Sequence, residues 1–482
     1  MNTEADAGAR WRRIGLIGGL SVAALVLALE PPEGLSPQAW RVVAVAALMA
    51  CWWLSEAIPL AATALLPLLL FPPLGIADFA ATAAPYAHPL IFLFFGGFVI
   101  GIAMQRWNLH RRIALAIVWR VGTGQRGLVG GMMLASALIS MWISNTATTL
   151  MMLPVAVSLL AVVARDDDEP LAAALLLGIA YAASIGGTAT LIGTAPNAFF
   201  AGYMQQSHGL EIGFARWMLV GVQSAALLLV VAWWTLTRLA FRLAPPGQGT
   251  APTREALRPE LQALGRMRRE EWAVAAVFAV VALAWITRPL LLARWPQLGL
   301  TDAGIALAGA LALFLWPADW RRARGLVGWE DLISVPWGVL ILFGGGLALA
   351  AGIADTGLAA WLGESLRAFS TWPALLLAAA VVALMVGLTE LTSNTATTTT
   401  FLPIVAALAV AAGLAPVQLA APAAVAASCA FMLPVATPPN AIVFGSQRLR
   451  LQQMLRAGVW LNLAAVPLIV LVVGTLAARV YA

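Results

Sequence analysis

Two identical stretches, SNTATT at Ser144–Thr149 and SNTATT at Ser393–Thr398, set hydroxyl and amide side chains inside long apolar regions. A proline-asparagine stretch follows each of them, GTAPN at Gly193–Asn197 and ATPPN at Ala436–Asn440. Ser and Asn favour turns and helix caps because their side chains bond nearby backbone. Each SNT therefore reads as a hairpin tip, where one helix ends near Ser144 or Ser393 and the next starts with free N–H groups. Proline removes a donor and restricts the residue before it, so the Pro-Asn stretches read as interruptions inside helices. Unwound carbonyls and hydroxyls suit a hard cation, and half-helix N-termini turn positive dipole ends toward an anion. Ser and Thr in membrane helices often serve only as packing glue. One SNT would be read that way; two copies, each followed by a break, argue for a binding role.

The elements that must position these motifs belong to a membrane. Hydrophobic residues make up 61% of the chain and charged ones 10%, far from the balance of soluble domains. Stretches such as Ile14–Leu29, Ala273–Ile286 and Ala374–Leu388 are apolar over a span's length or nearly so. Spans are predicted at about 14–30, 40–55, 58–74, 88–105, 171–194, 215–241, 271–291, 301–317, 334–352, 416–436 and 457–480, about 11 in all. Two further apolar regions, about 127–164 and 372–412, carry the SNT copies in their middles. The first segment follows RWRR without a small-residue cleavage site and reads as a retained span.

The chain also repeats. FLFFGGFVIG (Phe92–Gly101) resembles ILFGGGLALA (Ile341–Ala350) at an offset of 248, the SNT copies lie 249 apart, and LIGTAPNA matches PVATPPNA at 243. Five predicted spans separate the two motif regions. Five is odd, so the second region is entered from the opposite side of the membrane, and the repeats are inverted. All 28 basic residues are Arg, a compositional bias that says little about nucleic acid. Their clustering at the N-terminus and in 106–126, 238–269, 321–324 and 448–456 predicts a cytoplasmic N-terminus and an external C-terminus.

Other chemistries find little support. Cys51 and Cys429 lie in separate apolar runs, which suits free buried thiols. His88, His110 and His208 are scattered, so neither a metal centre nor a nucleophile with its base is evident. A passive channel would not need inverted breaks with paired cation sites. Glu390, three residues before Ser393, is expected to brace its hairpin, and Glu56 to sit near a span end.

In WWLSEAIPLAATALLPL (Trp52–Leu68), both SNT motifs, ASIGGTATLIGTAPNA (Ala183–Ala198) and MLPVATPPNA (Met432–Ala441), the chain resembles the divalent-anion:sodium symporter family from about residue 14 to 480. The resemblance implies an all-α polytopic inner-membrane transporter with two re-entrant hairpins and two broken helices, working as an elevator and as a homodimer. It implies scaffold spans at 1–126 and 271–371, transport-domain parts at 127–242 and 372–482, and a cytoplasmic linker at 243–270. It also implies one sodium site at Ser140, Ser144, Asn145 and the Gly193 backbone, with a symmetry mate at Thr389, Ser393, Asn394 and the Ala436 backbone. Ser140 and Thr389 each stand four residues before their SNT serine, on the same helical face. Substrate carboxylates would meet Asn145, Thr146, Asn394 and Thr395, with Thr194, Thr437 and Pro438 nearby. Ala195, where the second repeat has Pro438, departs from the pattern and is expected to soften the first break.

The leading expectation is sodium-coupled uptake of a C4-dicarboxylate such as succinate. A sulfate or citrate symporter and a sodium-independent dicarboxylate exchanger stay open. The longest hydrophilic loop, about Leu243–Arg269, is short, which favours dicarboxylate over sulfate.

Overall fold

The computed structural model describes residues 2–121, 124–163, 169–243, 253–319 and 324–481. Among these the chain is helical except for turns and one small antiparallel ribbon, Pro317–Asp319 with Arg324–Gly325. Nine helices among the described residues are long and apolar enough to cross a bilayer, and shorter apolar helices stand between them. The chain is a multi-pass membrane protein.

The helices are α1 (Asn2–Ala28), α2 (Pro37–Ser55), α3 (Pro89–Arg106), α4 (Leu109–Val121), α5 (Gly124–Ser140), α6 (Asn145–Val163) and α7 (Glu169–Gly187). They continue with α8 (Ala195–His208), α9 (Phe214–Trp234), α10 (Thr253–Leu264), α11 (Arg269–Arg294) and α12 (Asp302–Leu315). Then come α13 (Trp337–Asp355), α14 (Leu358–Ser365), α15 (Ala374–Thr389), α16 (Asn394–Ala411), α17 (Pro416–Ala426), α18 (Pro438–Gly445), α19 (Leu451–Leu468) and α20 (Gly474–Tyr481). Apolar patterning explains their placement. α7 is apolar all round and buried from Ala173 to Gly187, as expected of a helix with no polar face. On α1, Ile14, Ile17, Leu20 and Leu25 are each more than half exposed, the surface a lipid-facing span presents.

The stretch 58–74 departs from the expected single span. It forms two short turns, Leu60–Thr63 and Leu66–Leu70. Pro59, Pro67, Pro72 and Pro73 explain this, since each removes a ladder donor and fixes its own φ. The spans read at 171–194 and 416–436 end early, at Gly187 and Ala426, where the breaks begin.

Arginine side chains tie several of the basic segments together at one end of the molecule. Arg126 donates to the Leu243 carbonyl from Nε at 2.9 Å. Arg112 donates to Leu264 and Gly265 carbonyls and pairs with Glu271 at 3.0 Å. Trp107 Nε1 donates to Leu326 O at 2.9 Å, and Arg106 pairs with Asp331. α11 runs from this end for 26 residues, roughly 39 Å at 1.5 Å per residue. At its far end Arg288 pairs with Glu211 and Asp302, at 3.0 and 3.1 Å. Residues 244–252 of the expected linker and Arg321 and Arg322 of the basic segments lie outside the described residues.

Candidate functional site

Each hairpin is two helices joined by a four-residue turn. α5 and α6 meet at 141–144, α15 and α16 at 390–393. Both second arms carry a proline at the same depth, Pro154 and Pro403, nine residues after the SNT asparagine. α7 and α8 are separated by an unwound stretch at 188–194, α17 and α18 by one at 427–437. The caps of the two second half-helices share a conformation. Thr194 has φ −144° and ψ 145°, and Thr437 has φ −142° and ψ 150°. The expectation that Ala195 softens the first break is therefore not met, because the backbone turns into α8 as it turns into α18. What differs is the cap. Thr437 Oγ1 accepts from Asn440 N–H at 3.3 Å, while Thr194 Oγ1 lies 3.5 Å from Ser428 Oγ of the other repeat.

Both tips and both breaks face one cavity of about 1060 Å³. Ser144, Asn145, Thr146, Gly193 and Thr194 line it from the first repeat. Ser393, Asn394, Thr395, Ala436, Thr437 and Pro438 line it from the second. Ser140 and Thr389, the last residues of α5 and α15, are fully buried behind the tips. The Asn145 side-chain amide lies 2.7 Å from Ser140 Oγ, and Thr389 Oγ1 donates to Asn394 Oδ1 at 2.8 Å. The sequence spacing of five residues thus gives the same contact twice.

The outer atom of the Asn145 amide has three oxygen neighbours. It lies 2.7 Å from Ser140 Oγ, 3.1 Å from Ala183 O and 3.3 Å from Gly193 O. If nitrogen occupies that position, it donates to all three; if oxygen does, four oxygens converge with no donor but one hydroxyl. Hydrogen bonding alone favours nitrogen there. A hard cation, which takes oxygen ligands, favours the other. At the second tip Ala427 O lies 2.7 Å from the same Thr389 Oγ1, so hydroxyl, amide and freed carbonyl again lie together. Among the described residues no cluster of His, Cys, Asp and Glu stands at metal-holding distance. The oxygens available here are neutral, a donor set suited to a monovalent cation held reversibly.

Three supporting residues went beyond the sequence reading. Asn197 Nδ2 donates to Thr188 O at 3.0 Å and Thr190 O at 2.8 Å; Asn440 Nδ2 donates to Ala430 O and Leu433 O, both at 3.0 Å. Each fastens the unwound carbonyls of its own break, which would otherwise be orphaned. The repeated Asn, three residues after each capping threonine, was the available signal. Glu390 does brace its hairpin, through partners distant in sequence. Its carboxylate accepts from the N–H groups of Phe431 (2.6 Å), Met432 (2.9 Å) and Leu433 (3.0 Å) and from Asn462 Nδ2 (2.7 Å). Tyr181 of α7 ties the repeats together by donating to Phe431 O at 2.6 Å. Glu56 ends α2 in a left-handed conformation, φ 48°, and reaches the cavity wall.

Paired hairpin tips and paired half-helix ends around one cavity, in a multi-pass helical chain, define a secondary transporter. The chain belongs to the sodium:sulfate symporter transmembrane region family, whose model matches residues 11–480, and is thus a transporter and not an enzyme. It is similar to the sodium-dependent dicarboxylate transporter SdcS of Staphylococcus saprophyticus, 42% identical over 474 residues covering 95% of this chain and 90% of that protein. SdcS of Staphylococcus aureus shows the same identity and coverage. Among solved structures it resembles the YdaH transporter of Alcanivorax borkumensis, with a TM-score of 0.60, 16% identity and coverage of 91% of this chain and 98% of that one. It also resembles MtrF of Neisseria gonorrhoeae, with a TM-score of 0.58, 15% identity and coverage of 93% and 97%. These two likenesses carry the fold alone.

Proposed function

We propose that this protein couples sodium entry to uptake of a small dianion, a C4-dicarboxylate such as succinate, across the bacterial inner membrane. The observation that carries the reading is the pair of neutral oxygen clusters at the two tips of one cavity. Ser140, Ser144, Asn145 and the Gly193 carbonyl hold one sodium ion; Thr389, Ser393, Asn394 and the Ala436 carbonyl hold the other. Asn145, Thr146, Asn394 and Thr395, with Thr194, Thr437 and Pro438 beside them, receive the carboxylates.

Electrostatics makes sodium necessary. The charged residues on the cavity wall, among those described, are Arg12 and Glu56, and neither belongs to a hairpin or a break. A half-helix end supplies about half a positive charge, and one unpaired charge at mid-membrane costs at least about 2.5–3.5 kcal/mol. Bound cations set full charges beside the dianion, where the helix ends supply only partial ones. The named activity of the SdcS relatives supports dicarboxylate over sulfate.

Residues 127–242 and 372–482 form the moving part in this reading, and 1–126 with 271–371 the scaffold, which also holds the homodimer. A second apolar core joins α1, α2, α13 and α14, and Ala396 of the second hairpin packs into it. A domain that crosses part of the bilayer cannot anchor a partner, so crosslinks between partner chains within 372–412 that spare transport would overturn this arrangement. The N-terminus is cytoplasmic and the C-terminus external, which the gathering of Arg112 and Arg126 around 243–265 supports.

The deciding experiment is uptake of labelled succinate, citrate and sulfate into proteoliposomes, with and without a sodium gradient. Succinate uptake that needs sodium is the expected result. Binding of succinate with equal affinity in sodium and in a large inert cation would favour the exchanger, since a ligand indifferent to sodium is not coupled to it.

A further inference from the structure

The cavity wall includes two residues from a helix that carries none of the transport motifs. Trp11 and Arg12, near the start of α1, line it beside Leu54, Ser55 and Glu56. Their position is fixed by a close crossing of α1 over α2. A side chain at Gly15 would collide with Cβ and Oγ of Ser55, and one at Gly19 would stand 2.7 Å from the Trp52 indole. Trp52 Nε1 donates to Leu16 O at 3.2 Å, which locks the register. Small residues four apart allow such backbone approach in membrane helices. Arg12, Gly15 and Gly19 follow i, i+3, i+7 spacing and share one helix face, so the crossing that seats the glycines also turns Arg12 toward the C-terminal end of α2. Arg12 is the one basic residue on the cavity wall among the described residues, and Glu56 the one acidic residue.

We propose that α1 forms part of the anion pathway, with Arg12 as a positioning and specificity-determining residue that concentrates a dianion at the cavity mouth, opposed by Glu56. The inference rests on the anion-transport reading above. Between low-dielectric walls a single charge draws ions of opposite sign toward it and repels those of like sign. A charge at the rim acts on the rate of encounter and on salt dependence. The two residues should therefore have opposite effects: Arg12 favours arrival of the dianion and Glu56 opposes it.

The test is labelled succinate counterflow in sodium-loaded proteoliposomes with Arg12→Gln, Arg12→Lys and Glu56→Gln. At low ionic strength Arg12→Gln should raise KM roughly 10-fold with maximal rate retained. Arg12→Lys should restore KM, and Glu56→Gln should lower it. Both shifts should fade above about 0.1 M salt, where the Debye length falls to about 10 Å. An unchanged KM in Arg12→Gln, or the same loss in Arg12→Lys, overturns the proposal. Wild-type vesicles test the underlying reading alone: if they carry sulfate or citrate instead of succinate, that reading fails and the comparison is made on the anion carried. A further arm needs no transport. In a Cys51→Ser background, Arg12→Cys should react with an anionic methanethiosulfonate much faster than Leu20→Cys, which sits on the exposed side of α1. Equal rates would remove α1 from the aqueous path.

Discussion

The two breaks show the same design carried out with different materials. In the first, Gly187 and Gly193 occupy positions that Ala430 and Ala436 occupy in the second. A Cβ at Gly187 would lie 2.5 Å from Asn145 Oδ1, and one at Gly193 would press on Gly187 and come within 2.9 Å of Ser140 O. The first cluster thus closes around two absent side chains. The second break is longer and tolerates alanines, but its successive N–H groups at Phe431, Met432 and Leu433 converge on Glu390. The residue matching Glu390 in the first repeat is Met141, whose carbonyl accepts from Thr190 Oγ1. The positions proposed to bear ligands obey the pseudosymmetry and their supports do not. One repeat gains rigidity by close packing, the other by a buried carboxylate.

That contrast is broken most severely at Glu390. Glu390→Gln turns an amide N–H toward backbone N–H groups, and buried polar groups left unsatisfied cost about 1–3 kcal/mol each. The variant should lose most of its transport and unfold at lower temperature in detergent, whereas Met141→Leu should cost under about 1.5 kcal/mol. Comparable melting shifts in the two would show that the repeats are supported alike.

The ligand positions should behave as equals. Asn145→Ala and Asn394→Ala each remove one amide oxygen, and an interaction with a charged group contributes about 1.5–3 kcal/mol. Either change should raise the sodium concentration for half-maximal uptake by about 10- to 100-fold. A large effect in one and none in the other would assign cation binding to a single repeat.

Packing supplies a smaller, one-sided effect. Gly193→Ala inserts a methyl group against Gly187 and Ser140, at about 1–3 kcal/mol, and should weaken sodium dependence. Ala436→Gly only loosens a break that already has room, at roughly 0.5–1 kcal/mol. If Ala436→Gly proves the more damaging in sodium titrations, the first cluster is not the tighter one.

Much of the site was legible in the sequence because it rests on local rules. SNT at a hairpin tip, Pro-Asn at a break and a hydroxyl four residues before each SNT serine depend on short-range backbone geometry, and the duplicate copy confirmed each reading. The missed parts depend on distance in the chain. Nothing near Glu390 announces that its partners are 41 to 43 residues away, with Asn462 further on. Arg12 precedes the first span and stands more than 130 residues from either motif, so only the α1–α2 crossing reveals it at the cavity. The predicted span at 58–74 failed for the opposite reason. Its overall apolarity outweighed four prolines that break the helix ladder.

The half-helix N-termini give the finest test of the comparison. α18 begins with Pro438 and Pro439, which have no N–H, and the N–H of Asn440 is taken by Thr437 Oγ1. The second repeat therefore offers a substrate its dipole but no donor from the first two positions of that helix. α8 begins with Ala195, whose N–H has no acceptor within the helix and which lines the cavity. Ala195→Pro would make the first repeat match the second. Thr194 already holds φ −144° and ψ 145°, within the range allowed before proline, and proline is favoured at the first helical position. The fold should be unharmed or gain about 0.4–1 kcal/mol from a stiffer unfolded chain. If the Ala195 N–H serves a substrate carboxylate, the variant should bind succinate several-fold more weakly, at roughly the 0.5–1.5 kcal/mol of one hydrogen bond, with the sodium midpoint unchanged. Calorimetric titration together with a melting curve separates the two effects. A higher melting temperature with unaltered succinate affinity would mean that both helix ends act through their dipoles alone.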